Sequence, residues 1–258
     1  MFEVIPIPAF KDNYIWVGIC RALNQAIVID PGDGLATWHF LRDHHLNLVT
    51  ILITHKHQDH TGGVDFLLHH YPNIPVYGKK IENMPSVNAF VEEGDRVEID
   101  GWSMSFQVIA VPGHTLGHVC YYMPGVLFCG DTLFGAGCGR VFEGTFEQMY
   151  HSLTKLSSLP PDTLVYCAHE YTLSNLKFAH HLDPDNQAIR NRILETKSLL
   201  SRNKPSIPFT ISLEKTTNPF LRCKEENIIK TVEDHSDQIL RDDVAVFREM
   251  RKWKDGFS

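Results

Sequence analysis

The sequence has no apolar run near the roughly 20 residues that would cross a bilayer, and Met1 to Phe10 lack the basic segment and long apolar segment of a leader. A soluble protein that stays in the cytoplasm, where it is made, is the expectation. Cysteine is sparse and unpaired. The six, at 20, 120, 129, 138, 167 and 223, form no C-x-x-C pair and sit mostly within apolar runs, which is the usage of buried, reduced thiols and not of a secreted disulfide framework. No internal repeat is visible, and no basic excess points to nucleic acid: the formal net charge is -7.

What charge there is lies unevenly. Residues 1–172 hold 9 Lys and Arg against 18 Asp and Glu, a formal -9, whereas 173–258 hold 15 against 13, a formal +2. Two bound divalent ions would offset part of the first figure, and the basic excess gathers at the very end in Arg248, Arg251, Lys252 and Lys254. A hydrophobic fraction of 43% in 258 residues is enough for a full core.

Against this ordinary background one stretch stands apart, Ile51-Leu52-Ile53-Thr54-His55-Lys56-His57-Gln58-Asp59-His60-Thr61-Gly62-Gly63. His55 and His57 are two residues apart, so in extended chain just past a strand both imidazoles point the same way, as two ligands of one ion must. Asp59 and His60 fall where the chain bends, so they face elsewhere and can serve a second ion. Imidazole suits zinc, iron and similar borderline metals, and the carboxylate adds a harder oxygen donor. With 15 histidines in the chain some runs are accidental, and His44-His45, His69-His70 and His180-His181 read as solvated surface.

Short β-branched and aromatic runs at Phe2 to Ile7, Tyr14 to Ile19 and Ala26 to Asp30 read as a meander, followed by a helix from Leu35 to His45 and a strand from Val49 to Ile53. A short helix from Val64 to His70 follows, and the strand pattern resumes at Val76, Val97 to Ile99, Trp102 to Val111, Val119 to Met123 and Val126 to Cys129. After a helix at Thr145 to Leu156 and a strand at Thr163 to Ala168, helices are expected at Leu173 to His181, Asn186 to Ser201, Glu225 to Val232 and Asp242 to Trp253. Arg202 to Asn218 reads as irregular. The pattern predicts a sandwich-like α/β domain over 1–172 and a helical domain over 173–258.

Three further metal-binding side chains end apolar strands: His114 in Val-Pro-Gly-His-Thr, Asp131 in Phe-Cys-Gly-Asp-Thr and His169 in Val-Tyr-Cys-Ala-His. Singly they could be a turn histidine, a helix cap and a rim residue. Together with the first motif they make five histidines and two aspartates, more than one tetrahedral ion takes, so two ions are the economical reading. A carboxylate can bridge them, and Asp131 is the better placed because Asp59 adjoins the ligand His60.

These motifs resemble the metallo-β-lactamase superfamily, and over essentially the whole chain they resemble glyoxalase II, the hydroxyacylglutathione hydrolases. Asp12-Asn13-Tyr14, Gly137-Cys138-Gly139-Arg140 before Glu143-Gly144-Thr145, His169-Glu170-Tyr171, Thr217-Asn218-Pro219-Phe220-Leu221-Arg222 and the stretch from Phe247-Arg248 to Lys254-Asp255 carry the narrower likeness. The resemblance implies an αββα sandwich with a C-terminal helical domain. It assigns His55, His57 and His114 to one ion, Asp59, His60 and His169 to the other, and Asp131 to both. It further implies a glutathione grip made by Arg140, an aromatic pair at Phe142 and Tyr171, Arg251 and Lys254. Phe142 stands where many members carry tyrosine, so that hydroxyl contact is lost here.

The implied activity is hydrolysis of S-D-lactoylglutathione to glutathione and D-lactate, the second step of methylglyoxal detoxification, by a monomer that engages neither nucleic acid nor membrane. Two cations about 3.5 to 4 Å apart lower the pKa of a shared water enough to supply hydroxide near neutral pH. A thiolate leaving group with a conjugate-acid pKa of about 8.5 needs no strong general acid, although Asp59 could take up a proton during turnover. Zinc is the expected metal, with iron or manganese as alternatives. The competing classes are other enzymes of this fold, a lactonase, phosphodiesterase or persulfide dioxygenase, and a non-catalytic metal protein. The last conflicts with a ligand set that contains no cysteine.

Overall fold

The computed structural model describes residues 2–257, which form two compact units: one runs to Ala110 and includes Thr115–Gly130, and the other comprises Val111–His114 and the chain from Asp131. The first unit contains, in order, β1 (Phe2–Ala9), β2 (Asn13–Cys20), β3 (Gln25–Ile29), α1 (Gly34–Asp43), β4 (Asn47–Leu52), α2 (Gln58–Thr61) and α3 (Val64–His70). The strands β5 (Val76–Gly78), β6 (Ala89–Phe90), β7 (Arg96–Glu98), β8 (Ser105–Ala110), β9 (Val119–Met123) and β10 (Val126–Gly130) complete it.

Strands β1 to β6 form one sheet in sequence order. β1, β2 and β3 are antiparallel, with Phe2 opposite Cys20 and Ala9 opposite Asn13 at the two ends of the first pair. From β3 to β6 the pairing is parallel, because α1 carries the chain back over one face between β3 and β4. That face is read off the period-two pattern: Ile15, Val17 and Ile19 of β2, Val28 of β3 and Ile51 of β4 pack with Leu41 of α1 and Val64 and Leu67 of α3. Each such side chain fully buried contributes about 1.5–3 kcal/mol as an upper figure. Trp16, Ile27, Ile29 and Leu52 are equally buried but point the other way, toward the antiparallel strands β7 to β10. Phe2 meets Phe106 of β8 edge-on at 6.2 Å, and the Tyr121 hydroxyl of β9 donates to the Ile53 carbonyl at 2.9 Å. One strand is shorter than its composition predicts. The Trp102 indole donates to Gln25 Oε1 at 2.7 Å, which ties the start of the run to the first residue of β3, and β8 begins only at Ser105.

The second unit contains β11 (Leu133–Phe134), β12 (Gly137–Cys138), α4 (Phe146–Ser157), β13 (Leu164–Cys167), α5 (Thr172–Leu182), α6 (Gln187–Leu200), β14 (Phe209–Thr210), α7 (Ile211–Thr217), α8 (Glu226–Ser236) and α9 (Asp243–Gly256). Its helices start where capping chemistry allows. Thr145 and Gln148 make a reciprocal capping box at α4, the Asn186 side chain accepts from Ala188 and Ile189 at α6, and Asp242 accepts from Ala245 at α9. α7 lies inside the stretch expected to be irregular; Thr210 caps it through Leu213 N, and Pro219 follows its end. Phe178 of α5 stacks on Phe220 at 6.1 Å, and Phe220 meets Phe247 of α9 edge-on at 5.6 Å, so aromatic rings form the centre of the helical packing. Among the described residues no helix is long and apolar enough to cross a membrane.

Candidate metal centre

The first unit supplies His55, His57, Asp59 and His60 from the end of β4 through α2. This turn depends on close backbone approach. Gly63 N donates to Pro31 O at 2.9 Å, and a Cβ on Gly63 would lie 2.1 Å from Gly34 N, so the two glycine-bearing turns meet only because both lack side chains. Asp30, buried and in the left-handed region at φ 52°, is the hub between them. Its carboxylate accepts from Thr54 N and Thr54 Oγ1, both at 2.7 Å, and pairs with His60 Nδ1 at 2.9 Å.

These bonds settle the ring protons. The Thr54 hydroxyl hydrogen is used on Asp30, so the 3.1 Å contact between Thr54 Oγ1 and His55 Nδ1 has the imidazole donating, and His55 Nε2 carries the lone pair. His60 is oriented in the same sense by Asp30, leaving Nε2 3.5 Å from Asp59 Oδ2. Asn13 donates to that same Asp59 oxygen at 2.9 Å, and His55 Nε2 lies 3.0 Å from His57 Nδ1. The His118 ring is parallel to that of His55, with centroids 4.7 Å apart.

The second unit supplies His114, Asp131 and His169. His114 Nδ1 lies 2.8 Å from the Arg140 carbonyl, which can only accept, so again Nε2 holds the lone pair. Asp131 divides its oxygens: Oδ2 is 3.5 Å from His114 Nε2, and Oδ1 is 3.4 Å from His169 Nε2. Two N or O ligands about 2.1 Å from one tetrahedral ion are about 3.4 Å apart, so these separations suit ligands to a common ion and are longer than good hydrogen bonds. The histidines and aspartates that each unit supplies are side chains of the kind that hold a metal ion. Imidazole and carboxylate donors with no thiolate, most of them buried, fit a divalent cation.

The residues expected to grip substrate lie in the second unit as well. The Phe142 ring is exposed and meets His114 edge-on at 5.2 Å; Tyr171 stacks on His169 at 4.7 Å. The Arg140 side chain is mostly exposed and lies 3.6 Å from Asp255. Lys254 stands 5.8 Å from the Phe178 and Phe257 ring centres, and burial, then Arg251 and Arg140, lower its pKa. Arg251 is only 4% exposed; it donates to the Cys138 carbonyl at 2.8 Å and to Asp255 at 2.9 Å and lies over the Phe220 ring. Expected in the glutathione grip, Arg251 has its guanidinium largely committed to the hairpin β11–β12 and to α9 itself. Asn13, Asp30 and His118, which hold or stack on the candidate ligands, are not ligands themselves; in the sequence Asn13 belongs only to the family-like stretch Asp12-Asn13-Tyr14, Asp30 ends a strand, and His118 has no motif around it.

This α/β fold and this donor set define a metallohydrolase of the metallo-β-lactamase class: residues 14–169 match the Metallo-beta-lactamase superfamily. Among solved structures, ETHE1 from Myxococcus xanthus is similar with a TM-score of 0.63 and 27% identity, over 85% of this chain and 83% of that one. The BLEG-1 B3 metallo-beta-lactamase has a TM-score of 0.63 and 25% identity over 86% of this chain and 99% of its own. Residues 170–257 match the Hydroxyacylglutathione hydrolase C-terminus. The hydroxyacylglutathione hydrolase of Aeromonas hydrophila subsp. hydrophila is 47% identical across 258 residues, all of both chains, and that of Alkalilimnicola ehrlichii is 48% identical over 99% of each. The chain belongs to the hydroxyacylglutathione hydrolase family.

Proposed function

We propose that the chain is a glyoxalase II, a thioesterase that hydrolyses S-(2-hydroxyacyl)glutathione, S-D-lactoylglutathione above all, to glutathione and the 2-hydroxy acid. The observation that carries the reading is Asp131, whose two oxygens are shared out between His114 and His169. In this reading His55, His57 and His114 would hold one ion, Asp59, His60 and His169 would hold a second, and Asp131 would serve both. Zinc suits the imidazole-rich set best, with iron and manganese as alternatives. Residues 1–172 form the metal domain and 173–258 the substrate-binding domain of a cytoplasmic monomer.

When bound, the two ions supply Lewis acidity that lowers the pKa of water and polarises the thioester carbonyl. The chain's residues do the rest. Asp30 and the Arg140 carbonyl fix the His60 and His114 imidazoles in one tautomer, so these two need no reorganisation at the moment of reaction. Asn13 holds Asp59, the one carboxylate of the set besides Asp131 and the group placed to take up a proton. Phe142 and Tyr171 flank His114 and His169 and offer apolar faces to the acyl and peptide portions of the substrate. Three cations, Arg140, Arg251 and Lys254, gather about the single carboxylate of Asp255, an excess of positive charge that suits the two carboxylates of glutathione.

Metal content and thioesterase activity measured on one sample test the reading. About two equivalents of metal and turnover of S-D-lactoylglutathione are expected; a single equivalent at full activity, not raised by supplementation, removes the binuclear site. Lys254→Ala and Arg140→Ala are expected to raise KM for glutathione thioesters about three- to tenfold with kcat little changed, since exposed contacts are made equally in ground and transition states. A small uncharged thioester should be unaffected. Arg251→Ala should behave differently: it strips Asp255 and the Cys138 carbonyl of a buried partner, so its melting temperature falls too. Because the pKa of Lys254 is lowered, its charge is present below that pKa and lost as pH rises through it. KM in the wild type should therefore climb at a lower alkaline pH than an ordinary lysine would give, and Lys254→Arg should abolish that climb.

A further inference from the structure

Glu82 differs from its surroundings. It ends the short turn Lys80–Glu82, whose middle residue, Ile81, is 63% exposed, yet Glu82 is 3% exposed. Its carboxylate spans two loops, accepting from Lys56 N at 3.0 Å through Oε2 and from Gly117 N at 2.6 Å through Oε1. Lys56 lies between His55 and His57. Gly117 follows His114 by three residues and precedes His118, the ring stacked on His55. The loops that carry residues 55–57 and 117–118 are thus closed at two points, by the carboxylate across the backbones and by two rings across the side chains.

Gly117 is fitted to this closure. A Cβ there would lie 2.5 Å from Glu82 Oε1 and 2.5 Å from Ile81 Cγ2, so a side chain at 117 would drive the carboxylate out. A cavity of about 340 Å³ borders Lys56, Gln58, Glu82 and Met84, so packing alone does not hold the loop on that side. Burying a carboxylate is costly unless donors meet it, and two backbone amides meet this one with charge-assisted bonds. Glu82 serves neither the core nor the donor set, which leaves the fixing of these two loops as its effect.

We propose that Glu82 is a positioning residue for the metal centre: by joining the Lys56 and Gly117 amides it holds His118 against His55 and sets the direction of His55 Nε2. The inference rests on the metal reading of His55 and His57. In Glu82→Gln only one oxygen remains to accept, so one amide loses its partner. Zinc-loaded Glu82→Gln is expected to release one equivalent to a chromogenic chelator about tenfold faster than wild type, with amide exchange at Lys56 or Gly117 accelerated in the metal-free protein. Gly117→Ala attacks the same contact from the other loop and should do likewise. Asp183→Asn, at a buried carboxylate held by Arg222, Asn186 and Asn227, is the control for general destabilisation and should lower the melting temperature without altering release. Wild-type release rates in both Glu82→Gln and Gly117→Ala, or equal acceleration in Asp183→Asn, would overturn the proposal alone. Failure of the wild type to take up zinc would overturn it together with the metal reading.

Discussion

Asp131→Asn is expected to lower turnover of S-D-lactoylglutathione on the order of a thousandfold and, if the proposed binuclear site holds, to cost about one of the two metal equivalents. The carboxylate has its oxygens 3.5 Å from His114 Nε2 and 3.4 Å from His169 Nε2, so each is placed beside a different imidazole nitrogen. An amide replaces one of those oxygens with a donor that cannot ligate a cation, and it removes the negative charge that lets two cations sit close together. Stabilisation of developing charge by metal is worth several kcal/mol; the loss of about 4 kcal/mol corresponds to the thousandfold figure. His45→Ala, at an exposed surface residue, should leave both quantities unchanged. Elemental analysis and steady-state kinetics on the two variants decide the matter: near wild-type turnover and metal content in Asp131→Asn would mean that another residue bridges.

The candidate ligands were legible because each is announced locally. A metal-binding side chain just past an apolar run recurs at His55, His114, Asp131 and His169, beside a glycine or threonine at the first three, and the two-residue spacing of His55 and His57 suggests a shared direction. The residues that orient them were not legible, since their effect depends on pairs far apart in the chain. Asp30 reaches Thr54 and His60, Asn13 reaches Asp59, and Glu82 reaches Gly117, separations of 24, 30, 46 and 35 residues with no periodic signature. Asp30-Pro31-Gly32 has the composition of any turn, and only the fold reveals that its carboxylate is buried. α7 was missed for a different reason: Ile211–Thr217 is short and rich in Ser and Thr, and its stability comes from a threonine cap and from contacts of Glu214 with distant residues. The burial of Arg251 was not legible either, because the Cys138 carbonyl that it meets lies 113 residues away in the chain.

Arg192→Ala is expected to destabilise the protein by about 3–5 kcal/mol at pH 7, the cost of leaving a buried charge without its partner. Glu214 is fully buried, and Arg192, 4% exposed, lies against its Oε1 and also donates to the Thr217 hydroxyl. The remaining donors to Glu214 are Ala136 N at 2.9 Å and Asn218 Nδ2 at 2.8 Å, and Asn218 in turn donates to the Gly137 carbonyl at 2.9 Å. This network fixes the hairpin β11–β12, which lies between Asp131 and Arg140, so the variant should also raise KM for glutathione thioesters by loosening the approach to Arg140. The pH dependence identifies the cause. Burial already raises the Glu214 pKa, while Arg192 is the largest influence opposing that rise. Removing the arginine raises the folded-state pKa further above the unfolded value, so folding then favours the protonated acid. Stability from that protonated form is fully present below the unfolded carboxyl pKa of about 4.3 and is lost as pH rises through the folded pKa. The deficit of Arg192→Ala relative to wild type should therefore shrink toward pH 4, and Arg192→Ala with Glu214→Gln should recover much of it at pH 7. Denaturant unfolding of the two variants at pH 4 and 7 measures this, and a deficit that is the same at both values would assign the loss to the guanidinium's contact with the Phe209 ring instead of to the uncompensated Glu214 charge.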